Sequence, residues 1–225
     1  MLSGRFASSS KSATPELTSA QAKLIDDLKA TGKPVIVVVV AGRPLVMNAQ
    51  LDEADASLMA FLPGSEGGAA VADALFGKVN PSGRLPVSWP KSSDQLPLAY
   101  NERGKPYDPR YPFGYGLSYT RFDLRQLRAP WHVSADDWVN ASVTVRNAGR
   151  RAGDDTVLAF VVRPDGGRQL VAFPRVRLDR GDGANVRLAF RASQLAVTQP
   201  SGERAVAPGT YRLVVGDLSQ TFRVG

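Results

Sequence analysis

The first clear pattern in the chain is a helical spacing of apolar residues between positions 18 and 30 (TSAQAKLIDDLKA). Apolar side chains recur there every three or four positions, which places them on one face of an α-helix. Thr18 or Ser19 can cap the start of this helix, and Gly32 stands just beyond its end. The pattern predicts one amphipathic helix over residues 18–30.

A continuous β-branched run follows, at residues 35–40 (VIVVVV). Such a run favours a strand that is covered on both faces, as in a parallel sheet. Apolar residues return at 56–62, where the spacing leaves strand and helix both open. After the glycine-rich stretch 62–68 (LPGSEGG), residues 69–76 predict a short helix that ends at Gly77. Helix, buried strand and helix in this order indicate an α/β layer.

The chain between residues 80 and 119 is rich in proline, glycine and aromatic residues, which predicts ordered but irregular structure with one short strand at 85–89. Beyond Phe122 the pattern changes to short alternating segments separated by turn residues. The candidate strands are residues 139–145, 156–162, 169–173, 184–190, 210–215 and 220–224. Strands at this spacing predict a β-sandwich of about 100 residues. The predicted fold class is therefore α/β plus all-β.

Composition adds limits to this picture. The 225 residues are 43% apolar and 22% charged, as in a soluble globular protein. The longest apolar run, at 34–41, is too short to span a bilayer, which argues against a membrane protein. Cysteine is absent, so disulfides and thiolate metal sites are excluded. Residues 1–15 lack the apolar centre of a secretory signal, so either the chain is cytoplasmic or its true N-terminus lies upstream.

The net charge of +7 raises the question of an acidic partner. Residues 126–225 carry 14 basic side chains, all arginine, against nine acids. These arginines are spread along the segment, without the clustering or reading motif of a nucleic-acid site. The sequence therefore predicts a solvated basic surface and no nucleic-acid partner.

Side chains that could carry chemistry are few. The stretch 62–68 matches neither a phosphate-binding loop nor a dinucleotide fingerprint, and Ser65 lacks the flanking glycine of a nucleophile elbow. By pattern it is a structural turn, with Glu66 near a helix dipole. His132 is the only histidine, and beside Trp131 it is interpreted as a packing residue. One imidazole without thiols predicts no metal site, and nothing in the sequence indicates a cofactor.

Acidic residues do not form a convincing pair either. Asp52, Glu53 and Asp55 are close in sequence, and they are interpreted as a solvated patch on a loop. Glycosidic hydrolysis needs two carboxyl groups placed across the scissile bond. The residues alone predict two domains and no active site.

Several long motifs do resemble a known family. They are residues 32–45 (GKPVIVVVVAGRPL), 61–77 (FLPGSEGGAAVADALFG), 80–90 (NPSGRLPVSWP), 94–97 (DQLP) and 111–122 (YPFGYGLSYTRF). In this order they resemble the second domain of family 3 glycoside hydrolases. Residues 143–149, 178–183 and 208–216 are similar to the fibronectin-III-like domain that follows in many members. The predicted organisation becomes an extended or disordered segment over 1–17, the C-terminal part of the α/β sandwich over 18–122, and a fibronectin-III-like or immunoglobulin-like β-sandwich over 123–225.

The resemblance implies a mechanism and its location. Members of this family are retaining exo-glycosidases, mainly β-glucosidases and enzymes acting on xylosides or arabinosides. Their nucleophile is an aspartate on an N-terminal barrel, and their proton donor is a glutamate on a loop of the second domain. No residue here matches either one: Asp94 belongs to the second-domain motif, residues 1–5 offer no carboxyl group, and Glu16 lies too close to the helix. We therefore expect no catalytic residue in this chain.

The part of the α/β sandwich that is present implies an open sheet edge and a partly uncovered face. Glu66 matches a recurrent family position, and Ser65 and Glu66 are the candidate substrate-binding residues near the domain interface. Glu66 is expected to shape its loop.

Three functions follow from these expectations. The first is the C-terminal portion of a β-glucosidase-like enzyme that is inactive alone, whose parent enzyme is periplasmic or secreted. The second is a subunit of a split glycosidase that docks a separate barrel chain. The third is a non-catalytic carbohydrate-binding or scaffold module, for which Trp131 and Trp138 are the candidate aromatic residues. Sugar and linkage specificity and oligomeric state are not encoded in any recognisable pattern.

Overall fold

The computed structural model describes residues 15–101 and 106–225. These residues form two compact units whose segments alternate along the chain. Unit 1 contains residues 15–71, 88–98 and 108–112, and unit 2 contains residues 72–87, 99–101, 106–107 and 113–225. The prediction of a disordered or extended segment over 1–17 falls almost entirely on residues 1–14, which lie outside the described residues.

Unit 1 begins with the predicted helix, α1 (Ser19–Lys29). Thr18 is its N-cap: the Thr18 hydroxyl accepts a hydrogen bond from the Gln21 backbone N–H, and the Gln21 side chain accepts one from the Thr18 backbone N–H. This reciprocal capping box fixes the first turn. The helix is confirmed, but none of its residues is buried.

The next elements of unit 1 form a small parallel sheet. Strands β1 (Ile36–Val39) and β2 (Ala56–Met59) pair in parallel, with Ile36 opposite Ala56, and α2 (Asn48–Glu53) connects them. The undecided stretch 56–62 is thus a strand at its start. The prediction that the first strand is covered on both faces is wrong, since Ile36 is 49% exposed. The interpretation of the acidic residues as a loop is also wrong in part, because Asp52 and Glu53 lie on α2.

A third helix and an irregular segment follow. Helix α3 (Gly67–Leu75) confirms the predicted short helix, and Gly77 adopts a left-handed conformation (φ +73°) beyond its end. Residues 85–89 do not form the expected strand. Instead, Trp89 makes a single antiparallel bridge with Tyr111, and Ser93–Gln95 form one turn of 3-10 helix.

Unit 2 contains the remaining twelve strands. In chain order they are β3 (Phe122–Arg128), β4 (His132–Val133), β5 (Trp138–Asn147), β6 (Gly153–Thr156), β7 (Ala159–Val162), β8 (Arg168–Ala172), β9 (Arg175–Leu178), β10 (Gly183–Arg191), β11 (Val197–Thr198), β12 (Arg204–Ala205), β13 (Gly209–Val215) and β14 (Leu218–Val224). A three-stranded sheet has the order β10-β5-β3, and a five-stranded sheet has the order β4-β14-β13-β7-β8. Two further pairs, β6-β9 and β11-β12, complete the unit.

The core of unit 2 lies between its two larger sheets. Alternate residues of β5 are buried, including Val139, Val143 and Val145, and they join one apolar cluster with Leu213 of β13 and Phe222 of β14. The intervening residues of β5 face outward. This period-two alternation is what a sheet with one packed face requires, and it confirms the predicted β-sandwich class.

One predicted strand, 156–162, is divided in the structure. Residues up to Thr156 belong to β6, which pairs with β9, whereas β7 starts at Ala159 and pairs with β13 and β8. Val157 lies between them, is buried, and donates its backbone N–H to the carbonyl oxygen of Pro174. The chain changes its pairing partner here, and the apolar pattern cannot show this because Val157, between the two strands, is buried as well.

Two polar groups fix the ends of strands within this core. Asn147 is fully buried: its Nδ2 donates to the carbonyl oxygens of Arg151 and Leu178, and its Oδ1 accepts from the Thr120 hydroxyl. The Tyr211 hydroxyl donates to the carbonyl oxygen of Ala207, four residues upstream, at 2.7 Å. This is the hydrogen bond of a tyrosine corner, which is a feature of immunoglobulin-like sandwiches.

Replacing Tyr211 with phenylalanine is expected to lower the free energy of unfolding at pH 7 by about 1 kcal/mol, since one hydrogen bond is lost. Burial raises the pKa of Tyr211. A raised folded-state pKa means that the wild-type protein loses stability as the pH rises from the unfolded-state pKa, about 10, through the folded-state value. Tyr211→Phe lacks this loss, so urea unfolding should show the difference between the two proteins narrowing above pH 10. A constant difference would contradict this role for Tyr211.

Candidate functional site

The parallel strands of unit 1 bring two loops to one edge of their sheet. Both β1 and β2 run in the same direction, so the loops that leave their C-terminal ends lie side by side. A Cβ atom built on Gly42, in the first loop, would lie 3.9 Å from Leu62 Cδ1 in the second. In open α/β sheets this carboxyl edge is where ligands bind. The candidate residues Ser65 and Glu66 lie on the second loop.

The second loop has a constrained backbone. Phe61 has a φ of +50° and Gly64 a φ of +72°, both in the left-handed region. This conformation suits glycine but is strained for phenylalanine, and such strain is found disproportionately at functional loops. Gly64 also closes a turn by accepting the Gly67 N–H. The loop thus directs the chain into α3.

Ser65 and Glu66 are exposed where α3 begins. The Glu66 carbonyl oxygen accepts the Ala70 N–H, which is the first intrahelical bond, so the Glu66 carboxylate lies near the positive end of the helix. The described contacts place Glu66 in the turn that the sequence predicted. They do not bring a second carboxyl group to it, and its closeness to a substrate stays a prediction.

The acidic residues beside this sheet are engaged in ion pairs. Asp52 forms a bidentate pair with Arg110, and this pair raises the pKa of the guanidinium. Asp55 accepts the Val35 backbone N–H at 2.7 Å and the Lys29 ammonium at 2.9 Å, and these two contacts hold the pKa of Asp55 below its usual value. These side chains fasten the ends of β1 and α2. Asp52, Glu53 and Asp55 are all exposed, as the sequence predicted for a solvated patch, and Asp52 and Asp55 in addition form ion pairs.

A polar cluster attaches the later segments of unit 1 to its sheet. Trp89 Nε1 donates to the Leu45 carbonyl oxygen at 2.7 Å, and Asn48 Nδ2 donates to the Lys91 carbonyl oxygen at 2.7 Å. Lys91 also forms an ion pair with Asp108 at 2.5 Å. Trp89 is buried and packs edge-on against Tyr111. Sequence reasoning missed this cluster, since its members are 17 to 44 residues apart.

In unit 2, residues of the motif at 80–90 also form polar contacts. Arg84, from the resemblance motif at 80–90, forms an ion pair with Asp155 of β6 at 2.5 Å, and both side chains are largely buried. Asn80 Oδ1 accepts the Ser118 hydroxyl and the Tyr119 N–H, and Asn80 Nδ2 donates to Ala152. The motif residues in this unit therefore stabilise the fold.

His132 lies in a different environment from the one predicted. Both Trp131 and His132 are exposed, and their rings lie 5.8 Å apart between centroids. The interpretation of His132 as a packing residue is wrong, because its ring lies on the surface of the two-residue strand β4. Among the described residues, no three His, Cys, Asp or Glu side chains come together in a way that could hold a metal ion. Within the same residues no helix is long and apolar enough to cross a membrane.

The fold defines a chain of mixed class, in which a parallel α/β layer with loops at its carboxyl edge is combined with a β-sandwich. The chain belongs to glycosyl hydrolase family 3, since the model of the Glycosyl hydrolase family 3 C-terminal domain matches residues 5–119. The model of the Fibronectin type III-like domain matches residues 155–219. Both resemblances stated from the motifs are confirmed.

Individual relatives agree with this assignment. A periplasmic beta-glucosidase of Salmonella typhimurium is 36% identical over 93% of this chain, and a xylan 1,4-beta-xylosidase of Xylanibacter ruminicola is 34% identical over 91% of it. The crystal structure of a beta-glucosidase from Listeria innocua in complex with glucose superposes with a TM-score of 0.88 at 28% identity, over 94% of this chain. This chain covers 31%, 25% and 34% of the three proteins, respectively, and so spans about a third or less of their length.

Proposed function

We propose that this chain acts as the C-terminal portion of a β-glucosidase-like retaining exo-glycosidase. The observation that carries the proposal is the alignment of more than nine-tenths of the chain with part of a beta-glucosidase and of a beta-xylosidase. In this role the loop with Ser65 and Glu66 lies beside the substrate. The two carboxyl groups that cleave the bond are supplied by a barrel and a donor loop outside these 225 residues. The periplasmic relative supports an exported parent enzyme.

The surface of unit 1 supports a covering domain. Large apolar side chains are exposed on α1, β1 and the carboxyl-edge loops: Leu24, Leu28, Ile36, Val40 and Leu62. We infer that a further domain covers these side chains, since large exposed apolar patches mark interaction sites. The barrel is either part of the same polypeptide or a separate chain that docks here, which is the split-enzyme alternative.

The first test measures hydrolysis by the 225-residue chain alone. Nitrophenol release from aryl β-glucosides and β-xylosides should not exceed that of a heat-killed control, because neither carboxyl group is present. Turnover by the chain alone would overturn the proposal. The gene sequence upstream of Met1 then separates a longer polypeptide from a split enzyme.

The second test restores the missing part. The matched C-terminal region of the Salmonella enzyme is replaced by this chain, and the fusion is expected to hydrolyse an aryl β-glucoside. In this fusion Glu66→Gln should raise KM about fivefold with kcat within about twofold, since Glu66 shapes a substrate loop and makes no bond to reacting atoms. Glu53→Gln, an exposed acid on α2, is the matched control and should change neither constant. A hundredfold loss of kcat in Glu66→Gln would mean that Glu66 is catalytic.

A further inference from the structure

The outward face of the three-stranded sheet in unit 2 is strongly basic. Paired residues of neighbouring strands share a face, so the register places Arg187 of β10 opposite Ser142 of β5, and Arg191 opposite Trp138. The full set of outward-facing arginines on this sheet is Arg125, Arg128, Arg146, Arg187 and Arg191. The outward-facing residues of these strands include one acid, Asp123, which pairs with Arg121 and Arg125.

This face corrects the expectation that the arginines are not clustered. Positions from 125 to 191 are distant in sequence, but three antiparallel strands bring five of the side chains to one surface. Charges of one sign on one face attract an anionic partner and raise its local concentration. The fold therefore supplies the charge complementarity that the sequence did not reveal.

A depression lies at one end of the basic face. Its volume is about 660 Å³, and it is largely open to solvent. The residues that line it include Trp138, Asn140, Phe173, Pro174, Arg187 and Ala189. Trp138 is 50% exposed and Phe173 is 66% exposed. Single exposed apolar side chains are common on protein surfaces. Two exposed aromatic rings beside one depression are instead typical of a binding site.

The polar side chains in this depression are held in place. Arg187 donates an N–H to Asn140 Oδ1 at 2.7 Å, which uses one of the five guanidinium donors and leaves the Asn140 amide N–H groups available. Arg191 packs its guanidinium 5.0 Å from the centroid of the Trp138 ring, yet it does not line the depression. This contact restrains the indole ring of Trp138, which itself lines the depression.

We propose that this depression binds an acidic β-linked glycan, such as a xylan chain that carries uronic acid branches. The carbon-bound hydrogens of a β-linked pyranose form an apolar face that packs on Trp138 and Phe173, while its hydroxyl groups bond to planar amide and guanidinium donors. Arg187 pairs with the carboxylate of the branch in the bidentate geometry that suits a guanidinium. The site rests on unit 2 alone, and it does not depend on the catalytic role proposed for the parent enzyme.

The choice of a glycan over a nucleic acid rests on the family and on the arrangement of the rings. A single-stranded nucleic acid needs several aromatic residues along a groove to stack successive bases. Here the aromatic side chains lie at one end of the basic face, and the chain belongs to a family of glycoside hydrolases. A branched glycan places its neutral backbone on the rings and its charge over the arginines.

Calorimetric titration of the 225-residue chain tests the site. The probes are xylohexaose with one glucuronic acid branch, unbranched xylohexaose, and a single-stranded DNA oligomer. The branched sugar is expected to bind about tenfold more tightly than the unbranched one, because only the former pairs with Arg187. Tighter binding of the DNA, or equal binding of the two sugars, would overturn the proposal.

Variants separate the stacking and charge contributions. Trp138→Ala should weaken both sugars about tenfold, and Trp138→Tyr should restore binding to within about threefold, since an aromatic ring is retained. Arg187→Gln should abolish only the advantage of the branched sugar. The matched controls are Trp131→Ala, a more exposed tryptophan immediately before β4, and Arg180→Gln, in the turn before β10; neither should change binding. An equal loss of sugar affinity in Trp131→Ala would mean that exposed tryptophans bind the sugar in general and that the depression is not a specific site.

Discussion

Asp155→Ala is expected to lower the free energy of unfolding by about 4 kcal/mol, because it leaves the guanidinium of Arg84 buried without its carboxylate. The side chains of Asp155 and Arg84 are 12% and 17% exposed and lie 2.5 Å apart. Breaking a buried pair costs far more than its net contribution to stability, since the remaining charge is not solvated. Urea unfolding followed by far-UV circular dichroism measures the change.

The neighbouring residue supplies the control. Asp154 pairs with Arg175, whose side chain is 62% exposed, so Asp154→Ala should cost less than about 1 kcal/mol. The double variant Arg84→Met with Asp155→Leu should recover most of the loss, because apolar residues of similar volume can replace a buried ion pair. Similar costs for Asp155→Ala and Asp154→Ala would show that water reaches both pairs equally.

The second large effect is expected at the centre of the β-sandwich. Phe222 is buried, its ring stacks on Tyr211 at 5.6 Å between centroids, and it meets Phe190 edge-on at 6.4 Å. Phe222→Ala removes this packing and leaves a cavity beside the rings of Tyr211 and Phe190, which should lower the free energy of unfolding by about 4 kcal/mol. The same urea titration measures it.

Phe173→Ala is the matched control for that prediction. Phe173 is an exposed phenylalanine of the same unit, so its truncation should change stability by less than about 0.5 kcal/mol. A small effect of Phe222→Ala would mean that the two sheets close over the cavity, and a lowered dependence of unfolding on urea would accompany that rearrangement.

Local signals in the sequence predicted much of the fold because they act over a few residues. Thr18 and Gln21 lie three positions apart and form the capping box of α1, so the helix start could be read directly. The alternation along β5 likewise specified which side chains enter the core. In contrast, α2 is only six residues long, too short for its spacing to stand out.

Burial and tertiary contacts were harder to predict from the sequence. The β-branched run at 35–40 specifies a strand, but its coverage depends on neighbours that the run does not encode, and Ile36 is exposed. The pair of Asp52 and Arg110 joins residues 58 positions apart. Motif resemblance located the loop with Ser65 and Glu66, whereas Phe173 and Arg187 carried no local signal and were brought together only by the fold.

The exposed strand β1 has a consequence for handling the protein. The segment 35–40 is uncharged, free of proline and composed of valine and isoleucine, which is the composition of segments that assemble into cross-β fibrils. Within the described residues β1 pairs with β2 alone, so its other edge presents unpaired backbone groups to any second copy. We expect any self-association through this edge to depend on concentration, so the lifetime of a concentrated stock should be measured as a rate of loss and not inferred from the free energy of unfolding.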